Sequence, residues 1–252
     1  DLASSKGAKY LTGARVESVN GETVTLRDGR NFHGKIIVGA GGHNDPLRRA
    51  RWSESSLKIP IKFILMEGEF GDAVELHFGS MAPGGYAWVF PKERGANIGL
   101  GIQNKFSKGR SLNSLAEGFI SNYEGDITFR GAGSLPMSGS IKQFVKGNHL
   151  LVGDSAGMVL PSNGAGITIA MVGGRIAGQT IVSHLDEGTS LHAYEKEWKR
   201  QMGSVMRNSK LSFKIGSWIM RLPDWVLNLA FNPVSKPFVW RFITCRKPFF
   251  IF

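Results

Sequence analysis

The chain has 252 residues, 42% hydrophobic and 20% charged, with 33 glycines and a formal net charge of +11. That balance is ordinary for a globular protein with a substantial core, in one large domain or two small ones; it excludes a disordered chain, and the scattered glycines exclude a collagen repeat. One cysteine, Cys245, excludes an internal disulfide framework and a cysteine metal cluster, and six histidines without ligand spacing indicate no metal site.

The charge is uneven. From Val205 to Phe252 the cations Arg207, Lys210, Lys214, Arg221, Lys236, Arg241, Arg246 and Lys247 stand against Asp224 alone. Such a run suits a polyanion: nucleic acid, anionic lipid or a phosphorylated substrate. No stretch reaches the roughly 18 apolar residues of a bilayer span. The opening Asp1-Leu2-Ala3 reads as the interior of a longer pattern and not as a signal peptide.

Three β-rich runs come first, at 15–20, 22–27 and 35–39, separated by the turn dipeptides Asn20-Gly21 and Asp28-Gly29. The third, Ile36-Ile37-Val38, lacks polar alternation and is expected to be buried on both faces of a sheet. It ends in Gly39-Ala40-Gly41-Gly42, a loop that can approach a ligand closely. A second block, 59–70, 73–78, 86–91 and 96–102, reads as an antiparallel sheet in a different domain. Ser111 is the expected N-cap of a helix with Leu112, Leu115, Phe119 and Ile120 on one face. Strands return at 141–145 and 149–152, Gly153-Asp154 opens a loop, and a small-residue helix spans about 166–185. Helical segments broken at Pro223, Pro233 and Pro237 follow. The order describes one domain interrupted by another.

Residues 150–167, Leu-Leu-Val-Gly-Asp-Ser-Ala-Gly-Met-Val-Leu-Pro-Ser-Asn-Gly-Ala-Gly-Ile, form the most specific stretch. An apolar strand delivers Asp154 at its C-terminal end, where ligands sit in open α/β sheets. The Gly164-Ala165-Gly166 turn exposes backbone N–H groups at a helix N-terminus, which favours negative charge. Gly166, Ala170, Gly173, Gly174, Ala177 and Gly178 would let that helix pack closely against a sheet or a cofactor.

This stretch resembles the second flavin-binding motif of the para-hydroxybenzoate-hydroxylase-like flavoproteins, Gly-Asp-Ala-Ala-Gly…Pro…Gly-x-Gly, with Ser155 in place of the first Ala. A second stretch, 83–92 (Pro-Gly-Gly-Tyr-Ala-Trp-Val-Phe-Pro-Lys) followed by 96–101 (Ala-Asn-Ile-Gly-Leu-Gly), is similar to the Tyr-x-Trp-x-Phe-Pro…Gly-x-Gly signature of geranylgeranyl reductases. Alternation puts Tyr86, Trp88 and Phe90 on one strand face, as an aromatic core or as a wall for an isoprenoid chain; co-occurrence with the flavin motif favours the wall. Residues 133–139, Gly-Ser-Leu-Pro-Met-Ser-Gly, resemble the family's lead-in to the returning strand. There are departures. Gly41 stands at the class's usual Asp, with Asp45 as a candidate to compensate, and Arg48 and Arg49 read as solvated in preference to phosphate contacts. No Gly-x-Gly-x-x-Gly fingerprint follows an opening strand, so the resemblance begins partway into the family's length.

The resemblance implies a mixed α/β (α+β) fold. An incomplete FAD-binding Rossmann-like domain (1–55 and 131–190) is interrupted by an antiparallel β-sheet substrate domain (56–130) and followed by a basic C-terminal helical region (191–252). It implies FAD near Val16, Gly153, Asp154, Ala156, Gly157, Pro161, Gly164, Gly166 and Ile167, with Asp154 accepting from a ribityl hydroxyl. A prenyl lipid or prenyl diphosphate would lie against Tyr86, Trp88, Phe90, Pro91, Gly99 and Gly101, the two glycines leaving room for a long ligand. The implied reaction saturates isolated C=C bonds of geranylgeranyl chains: reduced FAD delivers hydride from N5, a proton completes the other carbon, and NAD(P)H or a reduced electron carrier is the donor. No catalytic residue is named; Tyr86 and a bound water are equal candidates for the proton.

From 213 to 252 the residues Phe213, Ile215, Trp218, Ile219, Leu222, Trp225, Leu229, Phe231, Phe238, Trp240, Phe242, Phe249, Phe250 and Phe252 interleave with cations. That composition suits a cytoplasmic protein in peripheral contact with a membrane face, or a helical cap with its cations in water. No nucleic-acid-binding motif accompanies it. Two rivals stand beside the reductase: a flavin monooxygenase or halogenase of the same fold, which the aromatic strand disfavours, and a non-catalytic, membrane-associated remnant, which Gly41 and the missing fingerprint favour.

Overall fold

A computed structural model describes residues 2–53, 57–220, 222–230, 237, 240, 241, 244 and 245. Pro233, Phe231, Phe238, Phe242, Phe249, Phe250, Phe252 and the cations Arg221, Lys236, Arg246 and Lys247 lie outside the described residues, as does the side chain of Leu229.

After a one-turn helix α1 (Leu2–Ser5), strands β1 (Val16–Asn20), β2 (Thr23–Leu26) and β3 (Asn31–His33) form an antiparallel meander. Gly21, at φ +55°, turns β1 into β2 in the left-handed backbone region that a side chain disfavours. β4 (Ile37–Gly39) then joins a second sheet, and α2 (Pro46–Arg51) follows it. Next come β5 (Lys58–Glu67), β6 (Glu75–His77), β7 (Tyr86–Lys92), β8 (Gly95–Gly101), α3 (Leu112–Ile120) and β9 (Asp126–Pro136). The five strands pair antiparallel in the order β6-β7-β8-β5-β9. The chain then returns through β10 (Val145–Lys146) and β11 (His149–Leu151); β11 runs parallel to β4, with Leu150 opposite Val38. That pairing makes the five-stranded sheet an insertion between two neighbouring strands. Helices α4 (Ile167–Glu187), α5 (Ala193–Ile219) and α6 (Asp224–Ala230) complete the order.

Two buried clusters and a joint hold these layers. Leu150, Leu151, Ile176, Tyr194 and Trp198 pack α4 and α5 on the β10-β11-β4 sheet. Ile64, Val89, Ile98, Leu100 and Phe119 pack α3 on the five-stranded sheet. Ile59, Met137 and Val159, with Leu135 and Phe213 against them, join the two. Ser111 caps α3 as its position suggests, its side chain accepting from Ser114 N. Among the described residues no helix is long and apolar enough to cross a membrane.

Three expectations need correction, and two strands are additional. Val38 is 39% exposed, because β4 is an edge strand with β11 on one side and no strand on the other among the described residues. Of the segment 141–145 only Val145 is in a strand; Ile141 and Phe144 are buried core residues, and the Glu195 carboxylate accepts from the Phe144 and Val145 N–H groups. β3 and the eleven-residue β9 were not anticipated. Of the small residues of α4, Gly173 and Ala177 are packed, Ala177 in the core and a Cβ added at Gly173 meeting Met158 Sδ at 2.7 Å, whereas Gly174 and Gly178 face open space.

Candidate active site

The aromatic strand delivers its residues as alternation requires. Ala87 and Val89 of β7 are buried toward α3, and Tyr86, Trp88 and Phe90 line the opposite face. Their rings are neighbours: Tyr86 meets Trp88 edge-on at 5.9 Å, and Trp88 stacks on Phe90 at 5.9 Å. Trp88 is locked by donation from Nε1 to Asn97 Oδ1 at 2.7 Å. Gly99 has another reason than room for a ligand. A Cβ there would lie 2.5 Å from Trp88 Cζ2 and 2.6 Å from Phe63 Cβ, so the indole itself fills the space. Pro91, half-buried and paired with Ala96, falls on the Ala87–Val89 face and not on the aromatic wall.

The loop after β11 is held from several sides. Gly153 (φ +61°) and Gly157 (φ +67°) take left-handed turns, and a Cβ on Gly157 would meet Gly139 O at 2.7 Å. Ala156 belongs to the core cluster, so its side chain and the close approach at Gly157 serve loop packing. Ser155 is fully buried and its Oγ reaches the carbonyls of Gly39 (2.5 Å) and Val152 (2.6 Å), stitching the loop to β4. Arg48 is not solvated. It is buried, and its guanidinium donates to Ser155 O at 2.8 Å. Asp45 takes up the volume beside the glycine loop: its carboxylate accepts from Gly41 N and Arg48 N, and would collide with a Cβ at Gly39 or Gly41.

Asp154 is half-buried, and burial pushes its carboxyl above the ordinary value, His43 opposing the shift. An Oδ1 atom lies 3.4 Å from where a Gly166 Cβ would stand, so the carboxylate sits beside the start of α4. That start has no side-chain cap, and Ile167 there is 83% exposed. His43 bonds Ser134 Oγ through Nε2 at 2.9 Å; burial, then Lys58, push its pKa down. Among the described residues no group of three His, Cys, Asp or Glu could hold a metal ion.

Wall and loop meet. The Tyr86 hydroxyl donates to Asn163 O at 2.6 Å, and burial pushes its pKa up. Between them lies an apolar cavity of about 80 Å³, to which Tyr86, Trp88, Gly101, Pro161 and Gly164 all contribute. Further walls were missed: Ile59, Ile61 and Leu135 from β5 and β9, Phe213 and Gly216 from α5, and Met220 just past its end. The only sequence signal was the helical spacing of those last three. Phe213 therefore faces inward and not toward a lipid surface, whereas Trp218 and Trp225 are about 70% exposed. Phe90 lies outside, lining with Val74 and Leu76 a groove of about 210 Å³ that Tyr86 separates from the cavity. Val16 is elsewhere, in an open hollow with Arg49 and the 39–41 loop.

The fold is shared with flavin-dependent enzymes. The halogenase BrvH from Brevundimonas sp. BAL3 matches 98% of this chain with 58% of its own, at a TM-score of 0.66 and 17% identity. A geranylgeranyl bacteriochlorophyll reductase-like protein from Thermoplasma acidophilum matches 88% of the chain with 61% of its own, at a TM-score of 0.71 and 24% identity. In sequence the chain is similar to members of the geranylgeranyl reductase family over most of its length. The family model of the geranylgeranyl reductase catalytic domain matches residues 58–131, the five-stranded sheet and α3. A digeranylgeranylglycerophospholipid reductase of Methanothrix thermoacetophila is 30% identical over 93% of the chain, and one of Methanosphaera stadtmanae is 34% identical over 57%. The chain spans 65% and 39% of those relatives' lengths.

Proposed function

We propose that this chain carries the prenyl cavity and the flavin-facing loop of a reductase that saturates isolated C=C bonds in geranylgeranyl chains of isoprenoid lipids. The observation that carries the reading is the Tyr86–Asn163 hydrogen bond, which joins the aromatic wall to the Gly-Asp loop around one apolar cavity. Its lining has no described carboxylate, lysine or arginine, which suits an isoprenoid and not a polar substrate.

The residues fit FAD. The uncapped N-terminus of α4, left open by Gly164 and Gly166, suits an anionic ring edge, and Asp154 stands where it can accept from a ribityl hydroxyl. Gly153, Pro161 and Ile167 shape the same loop, while Val16 would contact only the cofactor's far end. When bound, the flavin supplies the hydride, drawn in turn from NAD(P)H or a reduced carrier. The chain's own part is orientation and exclusion of water: Trp88 and Gly101 shape the cavity, and Tyr86 positions the loop. The Tyr86 proton is directed at Asn163 O, which makes this tyrosine a positioning group in the observed arrangement and leaves protonation to water. In this reading 1–55 with 131–190 hold the cofactor, 56–130 hold the substrate, and the exposed tryptophans of 191–252 rest on an anionic membrane face.

The test is a visible spectrum of the chain with added FAD, alone and beside a longer homologue from the same family. Retention of a band near ~450 nm through gel filtration, followed by mass gain of H2 per bond in a geranylgeranyl substrate under reducing conditions, is the expected result. A chain that stays colourless and leaves the substrate unchanged supports the non-catalytic remnant instead. Oxygen consumption with hydroxylated product supports the monooxygenase.

A further inference from the structure

Beside the apolar cavity lies a second hollow of different chemistry, about 590 Å³ in volume. Among the described residues three cations from one turn, Lys105, Lys108 and Arg110, line it, against one carboxylate, Asp224. That carboxylate is turned to the backbone, accepting from Ser80 N at 3.0 Å. Arg110 is fixed in place, its guanidinium donating to Ser80 O at 2.7 Å. Lys105 lies over the Phe106 ring at 4.7 Å, and Lys108 is held at φ +52°, a left-handed conformation rare outside glycine. The opposite side is apolar: Met220, Leu222 and the exposed Trp225.

The two hollows are neighbours. Met220 lines both, and the Pro83-Gly84 turn passes from the cationic one to the apolar one. Phe106 lies directly on Gly84, where a Cβ would collide with the ring, so the residue under Lys105 also backs the cavity wall. We propose that Lys105, Lys108 and Arg110 bind the phosphate or diphosphate ester of an anionic prenyl amphiphile whose chain enters the apolar cavity past Met220. An anion there gains two units of net positive charge, and its first isoprene units meet Leu222, Trp225 and Met220. An uncharged prenyl alcohol gains only the apolar part. The inference rests on the prenyl-cavity reading and adds to it the place of the headgroup and the residues that hold it.

Binding separates the two ideas without any turnover. Calorimetric titration of the full chain in non-ionic detergent would compare geranylgeranyl diphosphate with geranylgeraniol, for the parent and for a Lys105→Gln, Lys108→Gln double variant. Both lysines are exposed, and matching melting temperatures would confirm an intact fold. The parent should bind the diphosphate about tenfold more tightly than the alcohol, since each exposed charge contributes modestly. The double variant should lose most of that preference while its affinity for the alcohol stays unchanged. Alcohol binding without a diphosphate preference, or a preference that survives in the double variant, overturns the headgroup site and leaves the cavity reading intact. Failure of both probes to bind sinks the cavity reading and the headgroup site with it. Two controls identify the source of the anion. Inorganic pyrophosphate binding as tightly as the prenyl diphosphate would make this a free-phosphate site. Phosphatidylglycerol vesicles with unbranched chains losing affinity in the same proportion would make it a general lipid contact. Either result overturns the proposal.

Discussion

Gly99 is the residue on which the aromatic wall depends most. An alanine there would drive its Cβ into Trp88, Phe63 and the Lys62 carbonyl, all within 2.7 Å, and all three partners sit on the neighbouring strands β7 and β5. Gly99→Ala should cost about 1–3 kcal/mol by overpacking, read as a lower urea midpoint, with reduced affinity for any prenyl probe because Trp88 must move. Tyr86→Phe removes the one hydrogen bond to Asn163 O and should cost about 1 kcal/mol, read as a lower urea midpoint with the ring wall kept. Asp154 has the opposite sign. Its folded-state pKa is raised by burial, so ionising it costs the folded state more than the unfolded one. Asp154→Asn should therefore match the parent at pH ~3, where both chains are neutral at this site. It should gain stability as pH rises from the ordinary 3.8 through the raised value, and hold a constant advantage at pH ~8. Thermal melts at the two pH values check this. An advantage at low pH that vanishes at high pH would contradict it. A residue that weakens its own fold at neutral pH is consistent with selection for a bound ligand.

At the scale of elements, α4 makes a sharp comparison. Gly173 faces Met158 and Tyr194, while Gly174 faces nothing within 4 Å. Gly174→Ala should stabilise the chain by up to about 1 kcal/mol through helix propensity, and Gly173→Ala should destabilise it. Equal effects in thermal melts would show that α4 does not pack as described. The same distinction between local and tertiary causes explains what the sequence made legible. The Asn20-Gly21 turn, the Ser111 cap, the alternating 86–90 strand and the Gly-Asp loop are written in adjacent residues, and each forms where its residues indicate. β9 is different. Its Arg-Gly-Ala-Gly-Ser core has little apolar alternation, and it is a strand because β5 pairs with it over ten positions. The cavity divides the same way. Its aromatic and glycine-rich walls were visible in short motifs, whereas Phe213, Gly216 and Met220 join it only because α5 folds back across the sheet. Ser155 and Arg48 carried no local sign of their roles, since their acceptors, the carbonyls of Gly39 and of Ser155, lie more than a hundred residues away.

For the whole molecule the governing quantity is the net charge of +11, and it acts on stability and on binding with opposite signs. Self-repulsion among excess cations weakens the compact state, and salt screens it over a Debye length of about 10 Å at 0.1 M. Salt also weakens ion pairs, so the net effect depends on which term is larger. The described pairs are surface contacts: both partners of Arg30–Asp28 are about half exposed, and Arg200–Glu197 is 72% and 37% exposed. Such pairs contribute about 0–1 kcal/mol each. Repulsion should prevail, so the melting temperature should rise as potassium chloride goes from about 0.02 M to about 0.3 M. Over the same range the affinity for a prenyl diphosphate should fall, because the cations that repel one another are those that attract the ligand, while affinity for a prenyl alcohol should hold steady. A melting temperature that falls with salt would mean that ion pairs outweigh repulsion. A diphosphate affinity indifferent to salt would mean that the cations near the cavity mouth do not meet the ligand.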